Sequence, residues 1–187
     1  TIEWEGEEVT ITQLSPVLLG TDREKREKAW RLAAERRLKD REKINKIWQK
    51  ILEIRIQIAN NAGFDNYRSW RWEYLQRFDY TPDDCLDFHS GIEKVVKPFV
   101  EKLMKTRKEQ LGLDVLKPWD LSVDTLNRDP LEPFKDASEL EEKCHNIFKA
   151  VDEDLGNHFN IMREQKLLDL ANRKGKAPGG YLSLIHI

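Results

Sequence analysis

Apolar residues open the chain at alternating positions and then change period. Ile2 and Trp4, and after Gly6 Val9 and Ile11, follow the two-residue alternation of a half-buried strand. Residues 1–14 are therefore expected to form a short β-hairpin or strand pair. From Thr21 the spacing becomes three and four. Trp30, Ala33, Ala34 and Leu38 share one face, and Ile44, Ile47, Trp48, Ile51, Ile54 and Ile58 continue the repeat. Leu52 and Ile56 widen that stripe, so the pattern predicts a helix over 21–61 that is buried on more than one side. A third run, Cys85, Phe88, Ile92, Val95, Phe99 and Leu103, predicts a helix over 81–111.

Punctuating residues refine these elements. Pro16 follows Ser15 and suits the first position of a short turn or helix, where its missing N–H costs nothing. Thr21 and Glu24 have the spacing of a capping box. Thr81, Pro82, Asp83 and Asp84 form a second helix start, with acids at the positive helix end. Gly63 and Gly112 stand where a helix can turn into the left-handed region and stop. Pro98 lies inside the third run and predicts a kink near Val95. The three prolines and alternating Leu121 and Val123 of 111–134 predict an extended, turn-rich crossing. Ser138 is expected to cap a helix reaching Val151, and Asp154 another reaching Met162, before a short strand and hairpin loop over 166–181. The fold class is mainly α: a multi-helix array with a short N-terminal β-hairpin and a C-terminal strand or hairpin.

Composition narrows the function classes. The 187 residues carry 32 basic and 34 acidic side chains, a net charge of -2. That balance gives no case for general nucleic-acid affinity, which needs a basic surplus. No apolar run approaches the roughly 20 residues of a membrane span, and no signal peptide is recognisable. Two cysteines, Cys85 and Cys144, are too few for a disulfide framework, and a cytoplasmic setting is the expectation. The first residue is Thr rather than Met, which leaves open whether the N-terminus is complete.

Candidate chemistry is sparse. The charged stretch 22–43 reads as a solvated helix face laced with opposite-charge pairs three and four apart. Residues 66–80 set six aromatics among Arg68, Arg71 and Arg77. Such a mixture can stack bases, but without net basic charge it is read as core with arginines at the rim. Cys85 and His89 are four apart on one helix face, a spacing that can hold a metal, yet no second pair follows. His145 and His158, with Glu153 and Asp154 between them, are read as structural or surface residues. No H-E-x-x-H, G-x-S-x-G or phosphate-loop pattern occurs. The basic, glycine-rich 174–180 stretch lacks the hydroxyl of a nucleotide loop. Catalytic residues and metal ligands are therefore assigned to none of these positions.

Five segments taken together resemble the oligoendopeptidase F family of thimet-type zinc metallopeptidases. They are "DREKREKAW", "IANNAGFDNYRSWRWEYLQRFDYTPDDC", "LGLDVLKPWDL", "PLEPF" and, most specifically, "LLDLANRKGKAPGGY". Their order and approximate spacing match over about 180 residues. The resemblance implies a mostly helical peptidase with a deep channel, short peptides as substrates and zinc as cofactor. It also implies that the zinc ligands, two histidines of H-E-x-x-H and a later glutamate, lie beyond the "KAPGGY" stretch. Residues 15–181 are accordingly expected to be the start of a catalytic region, and this chain alone to bind no zinc and to be inactive. "LSLIHI" at 182–187 does not look like the family's continuation and reads as non-native read-through. Within the resemblance, Lys176, Gly179, Gly180 and Tyr181 are the expected substrate-binding residues, on a turn bordering the channel. The alternative is a free-standing helical interaction module whose charged helix docks a protein partner.

Overall fold

The computed structural model describes residues 1–177, 179, 180 and 182. The chain divides into two compact units, one of Thr1–Trp30 with Ser122–Ile187 and one of Arg31–Leu121.

The first unit begins with strands β1 (Ile2–Trp4) and β2 (Glu7–Val9), paired antiparallel with Ile2 opposite Val9 and Trp4 opposite Glu7. Glu5 and Gly6 both have positive φ, 51° and 89°. That is the two-residue turn whose twist matches a hairpin. The expected alternation ends at Val9. Ile11 instead precedes a 3₁₀ turn over Thr12–Leu14, and Pro16 leads a second one over Pro16–Leu19. Lys28 lies 5.2 Å from the centre of the Trp4 ring and Lys25 pairs with Glu5 at 3.2 Å, tying the hairpin to helix α1 (Arg23–Leu38). Buried Arg26 donates to the carbonyls of Gly20 and Thr21 at 2.9 Å.

Helices α6 (Ala137–Val151) and α7 (Glu153–Glu164) complete this unit, with Asp152 alone between them. Phe148 and Phe159 meet across them at 5.0 Å. Gly156 is buried against Lys149, so close that a Cβ there would lie 2.8 Å from the Lys149 Cα.

The second unit holds the rest of α1 and helices α2 (Arg41–Asn61), α3 (Tyr67–Tyr74), α4 (Pro82–Gly91) and α5 (Lys97–Gln110). The single helix expected over 21–61 is broken by a turn at Lys39 and Asp40, where Arg36 bonds the Asp40 carboxylate. Between α4 and α5 the chain stays helical but widens to a π-turn over Ile92–Val96, closed by the Lys97 N–H reaching back to the Ile92 carbonyl. The cause is Pro98, which has no N–H for the Lys94 carbonyl and crowds it. The irregularity falls where the proline predicted it.

Helix starts show a consistent correction. Asp22, not Thr21, accepts from the Lys25 N–H at 3.1 Å. Asp136, not Ser138, accepts from Glu139, and Asp152, not Asp154, caps α7. A carboxylate there satisfies a free N–H and faces the positive helix end, and in all three helices an aspartate directly before the first helical residue takes the slot. The Thr81–Asp84 box forms as expected. Helix ends follow one geometry: the Phe64 N–H bonds the Ala59 carbonyl and the Leu113 N–H bonds the Lys108 carbonyl, around left-handed Gly63 and Gly112. Gln76 and Lys166 occupy the same left-handed position after α3 and α7.

The apolar stripes are the largest departure from expectation. On α2, Ile44, Ile47 and Ile56 are exposed and Ala59 is the buried residue. Phe88, Val95 and Phe99 are likewise exposed, and none of the aromatics in 66–80 is buried. The described residues supply no surface to cover these stripes.

A compact polar knot does form in the second unit. Asp120, fully buried, accepts from the Lys117 N–H at 3.0 Å, and its carbonyl accepts from Arg107 Nε at 2.8 Å. Asp120→Ala is expected to lower the stability of the chain by about 2 kcal/mol, because it removes the buried carboxylate and with it the charge-assisted bond from the Lys117 N–H. Urea unfolding of the two proteins measures this. A midpoint unchanged by the substitution would mean that the knot is not a stabilising feature.

Candidate functional site

The expected substrate-contacting residues lie in the segment that leaves α7. Lys166 turns the chain out of the helix, its successor Leu167 bonding the Met162 carbonyl at 2.9 Å. Residues 167–173 then run without regular structure. The strand expected in 166–181 is thus not formed among the described residues. A strand needs a neighbour to pair its N–H and C=O groups, and here side chains take that role. Asn172 Nδ2 donates to Thr12 Oγ1 at 2.8 Å, and Lys174 Nζ donates to both Glu8 carboxylate oxygens at 2.8 and 3.0 Å. These bonds fasten the segment to the 3₁₀ turn and to β2.

A tight turn follows. The Lys176 N–H bonds the Arg173 carbonyl at 3.2 Å, with Gly175 at φ 85° in the third position. A β-turn with a left-handed third residue selects glycine there. The turn is locked from inside by Asp169, whose carboxylate takes a two-pronged bond from Arg173 at 2.5 and 2.8 Å. Lys176 Nζ adds a bond to Asp169 Oδ1 at 3.2 Å, another to the Ala171 carbonyl at 2.9 Å and a third to the Asp169 carbonyl.

Electrostatics follow from that geometry. The Arg173 guanidinium first, and the Lys176 ammonium second, hold the Asp169 carboxyl far below the usual carboxylate range. Lys174 and Thr1 likewise lower Glu8. A depressed folded-state pKa adds stability above the unfolded value, roughly 4, and loses it as pH falls through the folded value. Amide exchange in 169–176 is therefore expected to be slow and even between pH 5 and 8, corrected for intrinsic rates, and to quicken only in acid below pH 4. Asp169→Asn is expected to give the fast rate at every pH. Equal protection in the two proteins at pH 7 would show that the clamp does not hold the turn.

Of the four residues expected at a substrate, Lys176 has its ammonium on three oxygens of its own loop. Gly179 has φ 93°, and a Cβ added to either Gly179 or Gly180 would meet nothing within 4 Å. Tyr181 lies outside the described residues, as does Pro178. Asp169 and Arg173, the clamp itself, were not singled out from the sequence. Their i, i+4 spacing ahead of a Lys-Gly-Lys turn was the available signal.

The candidate metal positions do not assemble. Among the described residues, no three His, Cys, Asp or Glu side chains are grouped to hold a metal ion. Cys85 and Cys144 are free thiols, and His145 Nδ1 is buried without a hydrogen-bond partner. No described helix is long and apolar enough to cross a membrane.

Relatives are consistent with the resemblance to oligoendopeptidase F. Oligopeptidase A of Escherichia coli (strain K12) is 30% identical over 82 residues, 42% of this chain and 12% of its own length. The structure of PZ peptidase A with inhibitor 2 superposes with a TM-score of 0.87 and 30% identity, over 96% of this chain and 32% of its own. A crystal structure assigned to an oligoendopeptidase F from Bacillus anthracis str. Ames gives a TM-score of 0.86 at 26% identity, over 96% of this chain and 33% of that one. The chain thus spans about a third of the length of these solved relatives. Residues 18–186 match the model of Peptidase family M3, and the chain belongs to that family.

Proposed function

We propose that this chain is part of a zinc-dependent oligopeptidase that hydrolyses short peptides, and that it contributes scaffold and a peptide-facing loop rather than the metal ligands. The observation that carries the reading is the match to Peptidase family M3 across 18–186. Zinc is the metal that the resemblance to oligoendopeptidase F implies, and when bound it would polarise a peptide carbonyl or a water. The described residues do not fit it, since no three donor side chains are grouped among them.

The loop's own contribution is physical. Gly179 and Gly180 leave room for a second backbone to come close, because no atom occupies the space a Cβ would take. An extended peptide alongside could then bond through its main chain, with little demand on sequence. Lys176 serves by holding the turn, and a substrate carboxylate reaching its ammonium must compete with Asp169. Tyr181 is the proposed hydroxyl contact to the peptide.

The test is a chimera in which residues 18–181 replace the matching stretch of an oligoendopeptidase F that carries H-E-x-x-H. The chimera is expected to cleave short fluorogenic peptides, to lose activity to a chelator and to regain it with zinc. The 187-residue chain alone is expected to do neither chemistry nor stoichiometric zinc binding. A folded, zinc-loaded chimera with only background hydrolysis would overturn the proposal, as would sub-micromolar zinc uptake by the chain alone.

A further inference from the structure

Helix α2 keeps an isoleucine stripe in the open. Ile44, Ile47, Ile51, Ile54 and Ile58 recur at alternating steps of three and four, which sets them along one face of the helix. Helix α3 lies against the end of α2, where Ala59 is buried and Arg55 stacks on the Tyr67 ring at 5.1 Å. Much of the stripe stays uncovered: Ile44 is 58% exposed, Ile47 61% and Ile54 46%. The stripe also has basic edges. At about 3.6 residues per turn, Lys43 and Lys50 border it on the side away from α3. Arg55, which also lies 5.2 Å from the Trp48 ring, borders it on the other side. Among the described residues, no carboxylate lies within ion-pairing distance of these three cations. The two acids of α2, Glu42 and Glu53, fall on the far face of the helix.

We propose that this stripe seats an amphipathic helix with carboxylates along its edges, supplied by the part of the peptidase that lies outside this chain. Charge selects the chemistry of the occupant. A second copy of the chain, in either orientation, would set Lys43, Lys50 and Arg55 against the same cations, and like charges beside a helical seam repel. An apolar helix edged with Asp or Glu meets the same surface with opposite charges. Length selects the source. The chain spans about a third of its solved relatives, so most of the polypeptide that could cover the stripe lies outside it. The inference rests on the reading of this chain as part of a larger peptidase, and its readout is independent of hydrolysis.

The experiment follows the reaction of a single thiol with a maleimide dye, after the native cysteines, here Cys85 and Cys144, are replaced by serine. Ile47→Cys reports on the stripe and Gln49→Cys on the opposite face of α2. In the 187-residue chain the two thiols are expected to react at similar rates. In the chimera carrying residues 18–181, Ile47→Cys is expected to react about 100-fold more slowly, because reaction there needs a local opening, and Gln49→Cys to change little. Adding Lys43→Glu and Lys50→Glu to that chimera is expected to speed the stripe thiol about tenfold at low salt and less at high salt. A synthetic helical peptide of about three heptads, with a leucine seam and glutamate edges, tests the chemistry on the 187-residue chain itself. It is expected to slow labelling of Ile47→Cys, and the same peptide with lysine edges to leave the rate unchanged. Equal rates for Ile47→Cys in the chain and the chimera overturn the proposal, since the rest of the enzyme then leaves the stripe bare. Labelling of the chain alone that slows as its concentration rises assigns the stripe to a second copy and also overturns it. Equal protection by the two peptides removes the charge complementarity, with the same consequence. A chimera that protects Ile47→Cys yet hydrolyses no peptide supports this inference and overturns the proposed function instead.

Discussion

Gly156→Val is expected to destabilise the chain by more than 3 kcal/mol, the largest effect of any single substitution considered. A glycine inside a helix costs up to about 1 kcal/mol relative to alanine, so its presence at the fourth position of α7 asks for a compensating contact. The compensation is the crossing of α6 and α7. A Cβ at 156 would sit 2.8 Å from both Cα and Cβ of Lys149 and 3.1 Å from its backbone nitrogen. These are backbone atoms, or atoms fixed to backbone, so no rotamer change relieves them. Alanine would push the two helices apart, a strain of about 1–3 kcal/mol partly offset by its better helix propensity. Valine adds two methyl groups at the same place and opens the Phe148–Phe159 contact as well. Gly91→Ala is the internal comparison. Position 91 is also in a helix, and a Cβ there meets nothing within 4 Å. That substitution is expected to raise stability by up to about 1 kcal/mol. Urea unfolding of the three proteins decides the matter. Equal midpoints for the valine variant and the parent would mean that α6 and α7 do not cross closely at 156.

The sequence was legible where a signal is local and unreadable where it depends on what covers a surface. Pro98 placed the irregularity in the third helical run, because losing an N–H and crowding the preceding turn act within four residues. Gly63 and Gly112 marked helix ends for an equally local reason. The caps were misplaced by one or two residues because neighbouring capping residues, aspartate against a hydroxyl residue or a second aspartate, compete for one slot, and the choice turns on which backbone N–H groups are left free. Burial failed more broadly. Periodicity in α2 reports that its isoleucines can share faces, but not which element lies over them, and Ile44 and Ile47 are exposed. Gly156 gave no periodic signal at all, since its role is a contact with Lys149 seven residues away in a different helix. At the candidate site, the glycine-rich turn could be seen as a turn. The Asp169 clamp, and the bonds from Asn172 and Lys174 to Thr12 and Glu8, could not, since the latter join residues about 160 positions apart.

Gly180→Val in the active chimera is expected to lower kcat/KM by about 100-fold while leaving zinc content and melting temperature nearly unchanged. The reasoning begins with what valine would not disturb. The backbone of Gly180 is not in the left-handed region, and a Cβ there meets no atom of the described residues within 4 Å. The described part of the fold is therefore expected to tolerate the substitution. Gly179 gives no such clean test, since its φ of 93° strains any side chain whatever the space. If the open space beside Gly180 receives an extended peptide, two methyl groups hold that peptide away by about 1 Å or more. A displacement of that size at a reacting bond costs on the order of 100-fold, because productive geometry is lost while the catalytic groups stay intact. KM is expected to rise and kcat to fall together, since the peptide's main-chain bonds both retain and align it. Steady-state kinetics, metal analysis and thermal unfolding on the two chimeras are the three measurements. Activity that survives means the loop does not face the peptide. Activity that falls only in step with melting temperature means that residues of the rest of the enzyme pack on Gly180, and the turn is structural.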